Sequence, residues 1–327
     1  MSVSVAKLPN AVVVYRFPNK KKVHTVRGKA RKLSLNETVE NGFVFYSFDG
    51  KERYVIEKQN GTLNFGLPNK SKQLSTDKKS FLKSVENIQK AIAKKQFTKV
   101  VAAKILAVDT PENFDLLTLL SKVLKKYSEA FVCLVFIENT ACWLCATPEL
   151  LLKSGKKKIE TYSLAGTLKN STRFTEKEGE EQQIVTDSII ASLEKFPQLK
   201  KVSYESEVLQ NGHLRHLLTV IKAKKKDNIA WNVLTQELHP TPAVGTFPKT
   251  NGVAFIQKNE HFNRSFYSGY LGEIKRDKAR LFVNLRCAEI TQKQLIFYAG
   301  CGVTAASDAE KEWLETEYKL DILRSLI

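Results

Sequence analysis

In the last third of the chain, three stretches rich in β-branched and aromatic residues follow one another with no helical pattern between them: RSFYSGYLGEI, RLFVNLRCAEI and QLIFYAGCGVT. Strands in such close succession pair as antiparallel neighbours, because a parallel return needs a long crossover. AFVCLVFIE and ACWLCATPELLLK repeat the arrangement near the middle. Helical segments separate the groups. DKKSFLKSVENIQKAIAKKQ carries Phe81, Val85, Ile88 and Ile92 at helical spacing, and further helices are expected in FDLLTLLSKVLKKY, from about Glu176 to Phe196, in WNVLTQEL and in DAEKEWLETEYKLDILRSL. Grouped strands with helices between them predict an α+β core with largely antiparallel sheets.

Residues 1–75 read as short strands (VVVY, GFVFYSF, RYVIE), with Asn60-Gly61 as a tight turn. We take them as an abbreviated, β-rich N-terminal part of the same domain, with residues 76–327 as its main body. The N-terminus lacks a basic segment followed by a continuous apolar run, so no signal peptide is read there. The longest apolar run, Phe131 to Ile137, is too short to span a bilayer. A cytoplasmic, monomeric protein is expected, with no membrane association. Five cysteines do not suggest a disulfide framework. Cys142 and Cys145 form a CxxC, but on a strand residues three apart face opposite ways, so core burial is favoured over shared metal ligation.

The formal net charge of +18 favours anionic partners. The lysines fall in short clusters, Lys20–Lys22, Lys78–Lys79, Lys156–Lys158 and Lys224–Lys226, without interleaved aromatics. The clusters at 156 and 224 are read as turns. A solvated basic surface is preferred to nucleic-acid binding.

Two helices are unusual. On a wheel of about 100° per residue, Glu178 and Glu181 share a face with Val185, Ile189, Leu193 and Phe196. In the last helix Glu312, Glu315 and Lys319 form one stripe beside an apolar stripe read as Leu314, Tyr318, Ile322 and Leu326. Carboxylates in a first turn are favoured by the helix dipole alone. Two such pairs bordering apolar faces, without His or Cys neighbours, suit a shared hard cation, and Mg²⁺ fits because it leaves positions open for water and an anionic ligand.

SLAGT, EGEEQQIV, HPTPAV, the R-x-x-Y-x-G-x-x-G of RSFYSGYLG, VNLRCAEI, YAGCGV and EKEWLETEYK occur in the order found in chorismate-binding enzymes, the family of anthranilate, aminodeoxychorismate, isochorismate and salicylate synthases. The resemblance covers residues 78–327. It implies one α/β-sandwich domain of two packed sheets with helices outside, an active site between the sheets, and Mg²⁺ bridging the acidic helices to the carboxylate of chorismate. Glu181 and Glu315 would be inner ligands, with Glu178 and Glu312 close by or bound through water.

HPTPAV resembles the isochorismate-forming branch, since the aminating members have Thr where Ala243 stands. Lys99 matches the general base of isochorismate and salicylate synthases, where anthranilate synthases have Gln, and Glu149 matches their general acid. The resemblance further implies substrate contacts from Gly166, Thr167, His216, Ala243, Val244, Arg286, Gly300, Gly302 and Lys319. Taken singly, each residue has a plainer reading: Lys99 as a surface lysine, Glu149 as a solvated or capping carboxylate, Arg286 in an internal ion pair, Lys319 pairing with Glu315, His216 as an interior histidine. Adding water at C2 of chorismate while the C4 hydroxyl departs needs a base, an acid and a carboxylate clamp. A free lysine has a pKa of about 10.4, so Lys99 needs burial or a cationic neighbour such as Lys104, and Glu149 needs its pKa raised.

The sequence departs from the family pattern at Gln182, where His is common, and at Gly245-Thr246-Phe247-Pro248, where Gly usually stands one place later. The expected activity is that of an isochorismate synthase serving menaquinone or siderophore synthesis, with no glutaminase partner. Salicylate synthesis, then an aminodeoxychorismate or anthranilate synthase component, and a nucleic-acid-binding protein on an inactive enzyme fold are the alternatives.

Overall fold

The computed structural model describes residues 9–35, 37–59, 66–169, 174, 176–211 and 214–327. The Asn60-Gly61 turn and the side chain of Thr167 lie outside the described residues.

Four strands open the chain: β1 (Asn10–Arg16), β2 (His24–Lys32), β3 (Asn41–Tyr46) and β4 (Arg53–Lys58). Then come α1 (Lys78–Ala93), β5 (Lys99–Asp109), α2 (Leu116–Lys126), β6 (Phe131–Ile137), β7 (Ala141–Thr147), β8 (Leu150–Ser154) and β9 (Lys158–Lys169). They are followed by α3 (Glu176–Glu194), β10 (Leu199–Asn211), β11 (Leu214–Lys225), α4 (Trp231–Leu238), the two-residue β12 (Thr246–Phe247) and α5 (Gly252–Asn259). The chain finishes with β13 (Tyr270–Lys275), β14 (Lys278–Val283), β15 (Cys287–Ile290), β16 (Gln294–Val303) and α6 (Ala309–Arg324).

The strand order is β10-β11-β9-β8-β14-β13-β3-β4-β2-β1-β6-β7-β15-β16-β5-β12, and neighbouring strands run antiparallel. The expected pair of packed sheets is a single ladder folded on itself. β2 joins its halves, with His24–Lys29 on β1 and Gly28–Lys32 on β4. The halves meet face to face: Phe131 of β6 stacks on Phe282 of β14 with ring centroids 4.1 Å apart, and Phe45 of β3 meets Trp143 of β7 edge-on. Residues 10–58 thus supply the middle of the ladder.

Helices cover the outer faces. Asp77 caps α1 by accepting from the Ser80 amide, and Phe81, Val85 and Ile88 pack beneath it on Val100, Ala102 and Val303. Each such side chain contributes about 1.5–3 kcal/mol of burial. Val185, Ile189 and Leu193 seat α3, with Trp231, Leu234 and Leu238 of α4, on the opposite half. Among the described residues no helix is long and apolar enough to cross a membrane.

Four local expectations change. ATPELLL and VNLRCAEI are not continuous strands. Pro148-Glu149 separates β7, which pairs with β6 and β15, from β8, which pairs with β14 and β9. Pro148 has no N–H to give a ladder, so the chain leaves one half there and enters the other. Asn284–Arg286 makes the second such crossing, between β14 and β15. In α6 the apolar stripe fails at Leu314, which is 48% exposed, while Glu312, Thr316, Leu320 and Leu323 are buried. The first turns of this helix face a polar cleft, so polar residues occupy its inner side. Lys225 is no turn residue: it ends β11 buried, its Nζ donating to the carbonyl oxygens of Gly155 and Ile229 at 3.3 and 3.2 Å.

All five cysteines are free and buried, with Cys142 beneath the outer helices and Cys145 between the halves, as alternation along a strand requires.

Candidate active site

A cleft with about 650 Å³ of empty space opens between the two halves beside the first turns of α3 and α6. Glu149, Gly166, Glu181, His216, Ala243, Val244, Arg286, Gly300, Gly302, Glu315 and Lys319 all line it. Residues spread over 170 positions of sequence therefore meet in one place.

Lys99 begins β5 and is fully buried behind this lining. Its Nζ donates to the Pro242 carbonyl at 2.9 Å and pairs with Glu181 at 3.0 Å. Gly302 makes the close approach possible, since a Cβ there would lie 2.1 Å from Glu181 Oε1 and 2.7 Å from Lys99 Cε. Lys104 is not beside Lys99. Residues five apart on a strand point to opposite faces, and Lys104 Nζ sits 3.0 Å from the centre of the Trp313 ring, bonded to Glu317 of α6.

Glu149 stands at the Pro148 crossing with 2% of its surface exposed. Burial pushes its carboxyl up to about 8, against the opposing charges of Lys99, Lys319 and Arg286 and a 3.4 Å hydrogen bond from Thr241. It is therefore a neutral acid at pH 7, able to give a proton.

Arg286 stands at the other crossing, in the left-handed region at φ 47°. Burial lowers its guanidinium to about 10, so the charge persists at neutral pH. Its Nη2 donates to Nε2 of His216, whose own pKa is driven well below the usual value, first by burial and then by Arg286 and Lys319. His216 is thus a neutral acceptor that orients the arginine. Among the described residues, the buried Nη1 of Arg286 has no hydrogen-bond partner. A buried, charged donor left unmatched in a cleft wall calls for an anionic oxygen from a ligand.

On α6, Lys319 Nζ bonds Glu315 at 2.7 Å and the Gly300 carbonyl at 2.8 Å. Burial works against the Lys319 ammonium, but Glu315 outweighs it and the net direction is upward. Glu315 itself is raised to about 7: burial is the main cause, Lys319 opposes it, and the charges of Glu312 and Glu181 push the same way as burial. Glu312 is buried outside the cleft lining. Glu178 packs its Cβ and carbonyl against Gly166, which turns at φ 61° where β9 breaks register with β11.

No three His, Cys, Asp or Glu side chains among the described residues form a ready metal cage. The donor chemistry nevertheless fits a hard cation. The charges of Glu312 and Glu181 both bear on the buried Glu315, and Mg²⁺ needs only one or two carboxylates besides water and substrate.

Sequence reasoning missed Tyr267, Tyr298 and Leu285, which also line the cleft, and Thr241. Tyr267 had a signal, being the tyrosine of R-x-x-Y-x-G-x-x-G, and it faces Gly300, where a Cβ would lie 2.7 Å from its hydroxyl. Arg264 of the same motif bonds Glu260 and also donates to the carbonyls of Val244 and Val101, fixing two cleft-lining backbones.

The model of the chorismate binding enzyme family matches residues 46–327, and the chain belongs to that family. Among its curated relatives is the salicylate biosynthesis isochorismate synthase of Pseudomonas aeruginosa, 30% identical over 202 residues that make up 58% of this chain and 42% of the relative. Isochorismate synthase EntC of Escherichia coli is 25% identical over 265 residues, 77% of this chain and 68% of the relative. The chain thus spans less than half of the first and about two thirds of the second. The menaquinone-specific isochorismate synthase MenF of Escherichia coli superposes with a TM-score of 0.82 at 19% identity, over 98% of this chain and 89% of that one. Anthranilate synthase component I of Streptococcus pneumoniae gives 0.70 at 13% identity, over 99% and 93%. At these identities the structural likenesses define the fold.

Proposed function

We propose that this chain is an isochorismate synthase, a Mg²⁺-dependent cytoplasmic enzyme whose product feeds menaquinone or siderophore synthesis. The observation that carries the reading is Glu149, a buried carboxyl held protonated in a cleft whose wall has the buried Lys99 behind it. Replacing the C4 hydroxyl of chorismate by a hydroxyl at C2 consumes one water and releases one, so the site must take one proton and give one.

Lys99 takes the proton of the incoming water. The Pro242 carbonyl and Glu181 hold its Nζ at 2.9 and 3.0 Å. Glu149 gives its proton to the departing C4 oxygen, which leaves as water. Arg286, steadied by His216, and Lys319 hold substrate carboxylate. Gly166, Gly300, Gly302, Ala243 and Val244 shape walls that a ring can approach closely, and Thr167 adjoins them in sequence. Glu181 and Glu315 would hold Mg²⁺, with Glu178 and Glu312 near, and when bound the ion supplies positive charge against the substrate carboxylate. Ala243, where aminating members carry Thr, and Lys99, where anthranilate synthases carry Gln, favour water as the nucleophile.

The test is to incubate pure protein with chorismate and Mg²⁺ and separate the products. Isochorismate alone is expected. Salicylate with pyruvate, an aminated product when ammonia is supplied, or no turnover at all would overturn the reading.

A further inference from the structure

Gln182 follows Glu181 on α3, yet it is buried outside the cleft lining. Its carboxamide makes three hydrogen bonds: Oε1 accepts from the Ala165 amide at 2.8 Å, and Nε2 donates to the Ser163 carbonyl at 3.0 Å and to Thr219 Oγ1 at 2.9 Å. The carbonyl of one strand residue and the amide two places later face the same edge. Gln182 therefore fills the place of a neighbouring strand along a part of β9 that β8 leaves uncovered, since among the described residues β8 pairs with β9 at Lys153–Ser154 alone. One turn further along α3, Thr186 Oγ1 donates to Ser163 Oγ at 2.9 Å.

This fastening sits between two parts of the active site. The residue before Gln182 is Glu181, and the residue after Ala165 is Gly166, the bulged glycine against which Glu178 packs. A slip of α3 along β9 would move both glutamates relative to Gly166 and to Glu315 across the cleft. The amide suits the task chemically, because it supplies one acceptor and two donors together and carries no charge. A neutral imidazole at the same place satisfies two of the three partners at most, and a thioether satisfies none.

We propose that Gln182 is a positioning residue that sets the affinity of the site for its divalent cation, by fixing where α3 holds Glu178 and Glu181. The inference rests on the metal reading proposed above.

Mn²⁺ serves as the probe, because it takes the same oxygen ligands as Mg²⁺. Its binding to the full chain is measured by electron paramagnetic resonance for wild type, Gln182→Met and Gln182→His. Gln182→Met keeps the volume and loses all three bonds; it is expected to weaken Mn²⁺ binding about 10- to 100-fold. The Mg²⁺ concentration for half-maximal turnover should rise by the same factor, with kcat at saturating Mg²⁺ within about threefold of wild type. Gln182→His should fall between the two, a partial rescue. A residue that merely stabilises the fold would lower the Tm and leave Mn²⁺ affinity alone. Folded variants with wild-type Mn²⁺ affinity overturn the inference, and if Gln182→Met does not fold, Gln182→His decides by the same measure. Wild-type protein that binds no Mn²⁺ overturns the metal reading and this inference together, whereas wild-type binding unchanged in the variants overturns the inference alone.

Discussion

The chain crosses between the halves of its sheet at Pro148-Glu149 and again at Asn284–Arg286, and the two crossings treat charge in opposite ways. Both leave an ionisable side chain buried in one cleft. At the first, burial is met by protonation: a carboxyl can discard its charge, and Glu149 does so up to about pH 8. At the second, burial lowers the guanidinium only to about 10, so Arg286 stays charged, shared with His216 at Nη2 and unmatched at Nη1. The same desolvation thus makes a proton donor from one group and an anion receptor from the other. The difference lies in the intrinsic pKa of the two groups rather than in their surroundings.

The sharpest way to break this contrast is Glu149→Gln, which keeps shape and neutrality but has no proton to give. Isochorismate formation should fall about 10²- to 10⁴-fold with the fold retained, as product assay and circular dichroism would show. Arg286→Ala attacks the other crossing. It should lower kcat/KM about 10- to 150-fold, mainly through KM, in line with the loss of a hydrogen bond to a charged group. If both variants changed only KM, the assignment of acid and receptor would be wrong.

The pH dependence follows with a definite sign. Glu149 must be protonated to act, so kcat should decline as pH rises through about 8, approaching tenfold per unit beyond it. Stability is linked to the same proton. The folded state keeps it to about pH 8, whereas an unperturbed carboxyl releases it near 4.5, so wild type should lose stability across that window as pH rises. Glu149→Gln should flatten this decline in denaturant titrations at a series of pH values. The smallest effect belongs to Thr241→Val, which removes a 3.4 Å hydrogen bond that favours the charged acid. The alkaline limb should move up by a few tenths of a pH unit at most, in keeping with so long a contact.

The antiparallel α+β core, the apolar spacing of α1 and the buried face of α3 were legible from period alone, because core helices and strands repeat their burial locally. The two crossings were not. ATPELLL and VNLRCAEI look like unbroken strands, and only pairing with β14, β15 and β9 reveals that they change halves at Pro148-Glu149 and at Asn284–Arg286. Lys104 and Leu314 misled for a related reason: adjacency in sequence did not specify which face a neighbour takes or what lies opposite it. The motif order located the cleft. The partners of Gln182 and His216, and the carbonyls that Arg264 reaches beyond Glu260, are long-range matters of register, and a single sequence carries no local trace of them.

Position 286 shows what a left-handed backbone asks of its side chain. At φ 47°, a glycine would sit without strain, whereas any residue with a Cβ gives up about 1–2 kcal/mol. Drift at this position is therefore pulled two ways. The main chain would accept the smallest residue, while the carboxylate-holding role proposed for this position calls for a long cation.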